Sequence, residues 1–463
     1  MRLAKVAVLP AVVTLGVFFA CSGDDAVERR GRDDPSGTSG NGGSTSSSGG
    51  ASSSGSSGTA SSSGSSDSGG PTDDGGISPS FKASDLSFVL STGQSLSVGA
   101  QGTPVLSSTQ PDENVMFNTG VIAGGTNLTS FVPLVESGVE TMSAALVNHI
   151  SSNAKASFGV QHALLLSAHG VGGFSYAQLK KGQPPYANGI AQAKAGFDLA
   201  RAANKTIVVR AVTTVHGETD HINQNANYQA DIAEWQANYE TDVKAITGQS
   251  EPIPMLHTQM HSWTKFKVGG VFSDQSQIPI DQLAVHVSSA GKTVLVGPKY
   301  HLPYVADGVH LTNEGYRHMG EDYAKVYRQL VLRGKKWEPL RPLTITRDGA
   351  TITVKFLVPA PPLKIDEELV TNPADDGFEL SGDDEMPNIT SVDVTAPDTV
   401  TIKLSAAPTG ANKRLRYAFT GTPGASAGPT TGPRGNLRDS DDTKSLYGFK
   451  LYNWCVTFDE ALP

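Results

Sequence analysis

The sequence contains little cysteine and no excess of positive charge, and both absences are informative. Only two cysteines, Cys21 and Cys455, occur among the 463 residues. The fold must therefore depend on its hydrophobic core rather than on a framework of disulfides. Lysine and arginine number 36 against 45 aspartate and glutamate residues, which gives a formal net charge of −9. This balance argues against a nucleic-acid-binding protein, since such a protein needs a basic stripe.

The apolar run at residues 6–20 is too short to cross a bilayer as a helix. It follows the basic residues Arg2 and Lys5, which is the pattern of a secretory signal. Residues 1–21 are therefore predicted to be a signal peptide. The small Ala20 followed by Cys21 resembles a bacterial lipoprotein signal. That resemblance implies lipidation of Cys21 and a location in the bacterial cell envelope, at the outer membrane or cell surface, whereas an ordinary secretory signal would give a secreted protein.

Apolar residues are almost absent from residues 22–80, which consist mainly of Ser, Gly, Thr, Asp and Asn. Such a segment cannot bury enough apolar surface to offset the entropy of ordering. A Gly/Ser-rich composition is typical of a flexible linker. We therefore predict a disordered tether at residues 22–80, followed by the folded part of the chain.

A catalytic arrangement is indicated where the first strand-like run ends. The apolar residues 88–90 are followed by Gly93, Gln94 and Ser95, so the serine hydroxyl can lie at the carboxyl edge of a parallel sheet, where ligands bind. A nucleophilic serine needs a base, and the base needs a group that orients it. Asp307 and His310, three residues apart, can supply both, with Asp307 accepting from Nδ1–H and Nε2 facing Ser95.

These motifs resemble those of a known family. Residues 93–97, reading Gly-Gln-Ser-Leu-Ser, resemble the first motif of the SGNH (GDSL-type) hydrolases, and residues 307–311 resemble their last motif. Residues 216–220, reading His-Gly-Glu-Thr-Asp, are similar to the Gln-Gly-Glu-Ser-Asp motif of the sialate O-acetylesterase and acetylxylan esterase branch. The resemblance covers about residues 85–335. It implies a serine esterase for short acyl groups, chiefly acetyl, on carbohydrates, with no cofactor.

Donors for the negative oxygen of a tetrahedral intermediate can also be assigned. The backbone N–H of Ser95 is one candidate. Gly172 and Gly173 follow the second strand, where glycines allow close approach of the backbone to a ligand, and they resemble a Gly-Gly motif of the branch. His216 stands where the family has a glutamine donor, so the resemblance implies a third donor there. The alternative is a supporting or structural role for His216, and Glu218 and Asp220 are interpreted as acceptors that fix the loop.

The other histidines do not form a recognisable metal-binding motif. His257 and His261 are four residues apart, but they begin at the end of a strand, where this spacing carries no helical meaning. A zinc site would also need a third ligand. His301 is interpreted as an ordinary core or surface residue, as are His149, His162 and His286. The sequence therefore predicts no metal site and no cofactor.

Alternating strand-like and helix-like patterns predict an α/β fold for residues 81–340. Short apolar runs without alternation are typical of strands buried on both faces, and helical periodicity separates them. With the resemblance to SGNH hydrolases, this gives a flavodoxin-like three-layer α/β/α domain around a parallel sheet. The predicted strands are 87–90, 163–167, 207–212, 253–257 and 293–296, and the predicted helices are 187–203, 228–246, 280–289 and one capped by Thr312.

Residues 341–463 show a different pattern of short strands punctuated by Pro and Gly. Asp348 and Gly349 lie between two strand-like runs and predict a hairpin. We expect a small β-sandwich-like domain, with strands at 343–346, 350–356, 389–394, 399–404, 414–419 and 451–458. The loop at 432–439 is interpreted as a solvated connector, the alternative being that it folds back toward the catalytic domain.

Two other functions remain open at this stage. A lipase or thioesterase could use the same scaffold, and it would need an apolar groove for a long acyl chain. A catalytically inactive, glycan-binding surface lipoprotein is the other alternative. Leu96, where the branch has Asn, and His216, where it has Gln, are the departures that favour the inactive alternative.

Overall fold

The computed structural model describes residues 76–463. The predicted signal peptide, Cys21 and residues 22–75 of the predicted linker lie outside the described residues. Within the described part of the chain, no helix is long and apolar enough to cross a membrane.

The first region of the fold is built around a seven-stranded sheet with the order β3-β2-β4-β1-β5-β6-β9. Every neighbouring pair is parallel except β2 and β3, which are antiparallel. Strands β7 and β8 form a separate two-stranded ribbon. The strands of this region are β1 (Leu86–Gly93), β2 (Val115–Phe117), β3 (Phe131–Pro133), β4 (Leu164–Ala168), β5 (Ile207–Val215), β6 (Met255–His257), β7 (Lys267–Val268), β8 (Val271–Phe272) and β9 (Thr293–Leu295).

All five strands predicted for this region are confirmed, with ends that differ by up to three residues. They are the strands β1, β4, β5, β6 and β9. Strands β2 and β3, at one end of the sheet, were not predicted, since each is only three residues long and neither is fully buried. The parallel sheet is therefore the feature that local apolar runs predict best.

Helices cover both faces of the sheet, as predicted for a three-layer fold. Val89 of β1 belongs to the same hydrophobic cluster as α1 and α7, whereas Phe88 and Leu90 belong to the cluster formed with α3, α5 and α6. The helices are α1 (Ser143–Phe158), α2 (Tyr176–Leu179), α3 (Pro184–Ala202), α4 (Glu218–Ile222), α5 (Tyr228–Thr247), α6 (Ile278–Ser288) and α7 (Asn313–Tyr327).

The predicted helices correspond to α3, α5, α6 and α7. The Thr312 cap is confirmed, because its side chain accepts a hydrogen bond from the backbone N–H of Gly315 at 3.0 Å. Helix α1 was not predicted. Nine consecutive residues at its start are buried, so it lacks the polar face that makes a helical period visible.

The second region contains three antiparallel sheets. Strands β10-β11-β15-β14 form one, β13-β16-β18 another, and β12-β17 a third. The first two share one hydrophobic core, which agrees with the predicted β-rich C-terminal part. The strands are β10 (Arg341–Asp348), β11 (Thr351–Leu357), β12 (Lys364–Ile365), β13 (Phe378–Ser381), β14 (Ile389–Ala396), β15 (Thr399–Leu404), β16 (Arg414–Tyr417), β17 (Leu437–Arg438) and β18 (Phe458–Ala461).

Two predictions for this region need correction. The hairpin at Asp348 and Gly349 is confirmed, but the strand predicted at 451–458 is wrong. This stretch is buried as an irregular strap, and only β18 begins there, at Phe458. The loop at 432–439 is not a solvated connector throughout, because Asn436 and Asp439 are buried and β17 lies between them.

The two regions share hydrophobic contacts. The cluster at the core of the second region also contains Leu283, Leu295 and Tyr300 of the first. The hydroxyl of Tyr300 donates a hydrogen bond to the carbonyl of Cys455 at 2.6 Å. The boundary near residue 340 therefore marks a change of architecture, and the core continues across it.

Candidate active site

Ser95 lies at the carboxyl edge of the central strand β1. The strand ends at Gly93, whose φ of +123° suits glycine. A Cβ atom at Gly93 would also lie 2.3 Å from the carbonyl oxygen of Val215 in β5. Strand β1 can therefore turn sharply against β5, and the following 3-10 turn, Ser95–Val98, begins with the serine.

The three side chains that the sequence predicted to act together form a continuous hydrogen-bonded line. His310 Nε2 lies 2.7 Å from Ser95 Oγ. On the other side of the ring, His310 Nδ1 lies 2.6 Å from Asp307 Oδ2. The serine and the histidine are 215 residues apart in the sequence. The geometry is that of a Ser-His-Asp triad, in which Nδ1–H donates to the carboxylate and Nε2 faces the hydroxyl.

Asp307 is held in place by its own turn. Its Oδ1 atom accepts hydrogen bonds from the backbone N–H groups of Val309 at 2.8 Å and His310 at 2.9 Å. Burial alone would raise the pKa of Asp307, but the hydrogen bonds from the ring and backbone of His310 and from Val309 lower it below its usual value. The carboxylate is therefore ionised and oriented toward the imidazole.

The turn that carries Asp307 and His310 is in direct contact with the second region. Gly308 has a φ of +71°, and a Cβ atom there would lie 2.3 Å from Ser426 Oγ. The backbone N–H of Ala427 donates to the carbonyl of Gly308 at 3.0 Å. Nothing in the sequence placed this loop here, because its partners are more than a hundred residues away.

Gly172 lies beside the serine, as predicted. A Cβ atom at Gly172 would be 3.5 Å from Ser95 Cβ. The loop is fixed by a hydrogen bond of 3.0 Å from the N–H of Val171 to the carbonyl of Gly93. Gly173 has a φ of +74°, and its carbonyl accepts a hydrogen bond from Thr219 Oγ1. The N–H of Ser95, at the start of its 3-10 turn, has no carbonyl within that turn to donate to, so it stays the first candidate donor.

His216 is fully buried, and both of its ring nitrogens are engaged within the protein. Nδ1 lies 2.8 Å from the hydroxyl of Tyr228. Nε2 lies 3.2 Å from the carbonyl of Phe174, which can only accept, so this nitrogen carries the proton. Burial lowers the pKa of His216. A neutral ring with its single N–H committed to Phe174 has no donor for a substrate oxygen. The geometry supports the alternative, structural role, in which His216 holds the glycine-rich loop.

Asp220 acts as the loop-fixing acceptor that the sequence predicted. Its Oδ2 atom accepts a hydrogen bond from the N–H of Tyr176 at 2.9 Å, and Oδ1 accepts one from the side chain of Asn225 at 2.7 Å. Glu218 instead lies 3.5 Å from Nζ of the buried Lys299. Burial lowers the pKa of Lys299, and the charge of Glu218 opposes that shift. Sequence analysis missed Lys299, which has no pattern around it that indicates a buried charge.

Gln94 is the residue whose positioning role sequence analysis overlooked. Its Oε1 atom accepts hydrogen bonds from the backbone N–H groups of Gly217 at 3.0 Å and Glu218 at 3.1 Å. Its Nε2 atom donates to Thr219 Oγ1 at 2.6 Å. One side chain thus joins the turn of Ser95 to the end of β5. The signal for it was present, since a buried polar residue beside a candidate nucleophile needs partners.

The histidines first considered for zinc do not come together as a site. His261 is bonded to the carbonyl of Gln259 at 3.2 Å and to Thr457 Oγ1 at 3.0 Å. His257, the other histidine of that pair, has no hydrogen-bond partner on either ring nitrogen. Among the described residues, the group of three side chains with metal-ligand geometry consists of His301, His318 and Asp322.

Comparisons with known proteins place this chain by its fold. No family model and no curated relative matches the sequence. The structure resembles a carbohydrate acetylesterase from Xanthomonas citri at 16% identity, over 80% of each chain, with a TM-score of 0.51. It also matches NanS, at 11% identity over 54% of this chain and 98% of that one (TM-score 0.36). Est24, a carbohydrate acetylesterase from Sinorhizobium meliloti, matches at 14% identity over 51% and 96% (TM-score 0.30).

The fold comparison agrees with the expectation drawn from the motifs. The chain has the three-layer α/β/α fold that the resemblance to SGNH hydrolases implied, followed by a β-rich C-terminal part. At 80% of the chain, the match to the Xanthomonas citri protein extends beyond the predicted hydrolase domain. The second region is therefore part of what the two structures share.

Proposed function

We propose that this protein is a serine esterase, with Ser95 as nucleophile, His310 as general base and acid, and Asp307 as the group that orients His310. The observation that carries this proposal is the distance of 2.7 Å between Ser95 Oγ and His310 Nε2, with Asp307 2.6 Å from Nδ1. A hydroxyl so placed can lose its proton as it attacks, and such general-base help contributes about 10²–10⁴-fold.

The first half of the reaction forms an acyl-enzyme. Ser95 Oγ attacks the ester carbonyl while its proton moves to His310 Nε2. The negative oxygen of the tetrahedral intermediate is stabilised by the backbone N–H of Ser95 and by the backbone N–H of Gly172. The intermediate collapses, the bond to the leaving alcohol breaks, and His310 returns the proton to that alcohol. Asp307 stabilises the imidazolium that forms between these steps.

The second half uses water. His310 Nε2 takes a proton from a water molecule as it attacks the acyl-enzyme, and a second tetrahedral intermediate forms at the same donors. The bond to Ser95 then breaks, and the proton on His310 returns to Ser95 Oγ. The products are a carboxylic acid and free enzyme. No cofactor enters any of these steps.

The proposed substrate is a short acyl ester, chiefly acetyl, on a carbohydrate. Support comes from the motifs at Ser95 and Asp307, which resemble those of acetylesterases, and from the carbohydrate acetylesterase of similar fold. A panel of p-nitrophenyl esters from acetate to palmitate tests chain length. Preference for acetate is expected, whereas preference for palmitate would favour a lipase. Release of acetate from acetylated xylan and from O-acetylated sialic acid then distinguishes the carbohydrate.

The central test is covalent labelling by a serine-reactive fluorophosphonate. The parent protein should be labelled, and Ser95→Ala should lose labelling together with at least about 10⁴-fold of kcat on p-nitrophenyl acetate. Ser391→Ala, at a partly exposed serine of the second region, is the matched control and should behave as the parent. A parent that is folded but neither labelled nor active would support the glycan-binding alternative instead.

We also propose that the enzyme is anchored through lipidated Cys21 to the bacterial cell envelope. The support is the signal-like sequence before that residue. Incorporation of labelled palmitate by the parent is expected, and Cys21→Ala should abolish it. Equal incorporation by both would contradict the anchor and leave an ordinary secreted enzyme.

A further inference from the structure

A cluster of metal-ligating side chains lies on the helix that follows the catalytic turn. His318 and Asp322 are four residues apart on α7, so they share one face of the helix. His301, from the segment before the catalytic turn, contacts them, with its Nε2 atom 3.3 Å from Asp322 Oδ2. One ligand atom from each of the three side chains can be chosen so that all lie within 4.8 Å of one another.

Each of these side chains also has a polar atom that lacks a hydrogen-bond partner. These atoms are His301 Nδ1, His318 Nε2 and Asp322 Oδ1, and each is shielded from solvent. The side chain of His301 is only 5% exposed, and that of Asp322 13%. Buried polar atoms without partners are uncommon in folded proteins because leaving them unpaired is costly. Each of the three side chains therefore has an atom that is free to bind an ion.

The surroundings of the two imidazoles favour a bound ion. His318 Nε2 has no hydrogen-bond partner, so this nitrogen is available to present its lone pair to an ion. The rings are also held by stacking, His301 on Trp454 at 5.7 Å and His318 on Phe449 at 4.7 Å between centroids.

The nearby charges leave room for a cation despite the presence of Lys325. Its ammonium is 3.9 Å from Asp322 Oδ1, too long for a hydrogen bond. It bonds instead to Asn453 Oδ1 at 2.8 Å and pairs with Asp441 Oδ2 at 3.3 Å. One ammonium therefore faces two carboxylates, and a divalent cation beside Asp322 would reduce the negative surplus.

We propose that His301, His318 and Asp322 bind one divalent transition-metal ion, with zinc as the best match for two imidazoles and one carboxylate. Ligand atoms around a tetrahedral zinc are about 3.4 Å apart, so the cluster needs to contract by little more than an ångström. A cavity of about 10 Å³, bordered by His301, Asp322 and Lys325, lies beside two of the three ligands and is about the smallest volume that holds one water molecule.

The ion would act as a structural tie. It would link α7, which begins just after His310, to the segment at His301. The two ligating rings stack on Trp454 and Phe449 of the second region. This site is separate from the proposed ester hydrolysis, and neither proposal depends on the other. The sequence predicted no metal because His301 is distant along the chain from the pair on α7.

The test is zinc binding by the full chain after removal of metal with a chelator. Isothermal titration should give one tight equivalent for the parent. His318→Gln and Asp322→Asn should each weaken it by at least about 100-fold, since loss of even an outer partner costs roughly 10–100-fold. Glu314→Gln, which removes an exposed carboxylate from the same helix, is the matched control and should bind as the parent.

Thermal unfolding provides an independent readout. Zinc should raise the melting temperature of the parent and of Glu314→Gln, and the rise should grow with zinc concentration as expected for a ligand of the native state. The two ligand variants should show no such rise. Equal zinc affinity in all four proteins, or no tight equivalent in the parent, would overturn the proposal.

If both ligand variants fail to fold, the visible spectrum of the parent protein with cobalt(II) tests the site instead. Intense visible absorption from the parent, as given by four-coordinate cobalt with nitrogen ligands, would support the site. A spectrum unchanged from the hydrated ion would overturn it. Esterase activity is not part of this test, so failure of the zinc site and failure of the proposed catalysis remain distinguishable.

Discussion

The two regions of the molecule use strands in opposite ways. In the first region β1 is buried at all eight positions, whereas β10 in the second region has no fully buried residue. A parallel strand covered on both faces can present side chains to a ligand only beyond its end. An antiparallel sheet with one exposed face has no such edge. This difference explains why Ser95, Gly172 and the turn of His310 all follow ends of strands or connect them.

The second region also contacts the catalytic turn. Ser426 and Ala427 of the second region pack against Gly308, which lies between the two triad residues Asp307 and His310. Gln259, just after β6, donates to the carbonyl of Thr457 at 2.8 Å. The first region thus supplies every candidate catalytic side chain, while the second holds the last turn in position.

Gly308→Ala should have the largest effect on activity among the positioning residues. The added Cβ would lie 2.3 Å from Ser426 Oγ and 2.6 Å from its Cα, and the φ of +71° is itself unfavourable for alanine. The turn must shift, and a displacement of about 1 Å at a catalytic group can reduce the rate about 100-fold. We expect such a loss in kcat for p-nitrophenyl acetate, with a smaller change in KM.

Gly349→Ala is the matched control in the second region. Gly349 has a φ of +55°, but a Cβ atom there meets nothing within 4 Å. It should therefore lower stability slightly and leave kcat unchanged. Equal losses of kcat in Gly308→Ala and Gly349→Ala would show that contact between the regions is unimportant.

Gln94→Ala should reduce both stability and activity. It leaves the backbone N–H groups of Gly217 and Glu218 without their acceptor, at a cost of about 1–3 kcal/mol in the free energy of unfolding. Because the turn of Ser95 loosens, kcat should fall by roughly tenfold or more. Urea unfolding and steady-state kinetics measure the two effects.

Gln249→Ala provides the comparison for this residue. Gln249 makes a similar bridge at the far end of β5, accepting from the N–H of Val209 at 3.0 Å and donating to its carbonyl at 2.8 Å. It should cost comparable stability but leave kcat intact. If both variants lost activity equally, general destabilisation would explain the result, and Gln94 would have no positioning role.

Acid should destabilise the fold most steeply between pH 5 and pH 4. Burial lowers the pKa of several histidines, so the unfolded chain binds more protons than the folded one below about pH 6.5. The neutral buried histidines contribute their full stability above about pH 6.5. This contribution is lost as the pH falls toward the pKa values that these histidines have in the folded protein. The pKa is about 4 in His149, His162, His169 and His221, and about 3 in His257.

Three buried carboxyl groups oppose this trend. Burial raises the pKa to about 7 in Glu136 and Glu321 and to about 6 in Asp439. These carboxyl groups add stability as the pH falls from 7. Below about pH 4 to 4.5 they are protonated in both the folded and the unfolded chain, so they add no further stability. The midpoint of urea unfolding should therefore change modestly from pH 7 to 5 and drop sharply by pH 4. His169→Gln should make that drop smaller, and equal midpoints at pH 5 and 4 in the parent would contradict the assignment.

Sequence analysis found the residues whose chemistry is visible locally. Ser95, Asp307 and His310 were identified because a strand end, a turn and a reactive side chain coincide within a few residues. Gln94 and Lys299 were missed as functional neighbours, since their partners come from β5 and its following turn. His216 was assigned a donor role by resemblance, whereas its two ring nitrogens contact Tyr228 and Phe174. The orientation of the imidazole ring depends on the side chains and carbonyls around it, and its position in a motif does not determine these partners.

The amino-acid sequence by itself determined the buried strands, most of the helices and the identity of the three reactive side chains, because apolar runs, helical periods and turn residues act over short distances. Only the tertiary structure decided that Ser95 and His310 meet, that Ser426 rests on Gly308, and that His301 joins His318 and Asp322. Those contacts join residues that can be hundreds of positions apart. Their geometry follows from strand order and packing, which no local pattern encodes.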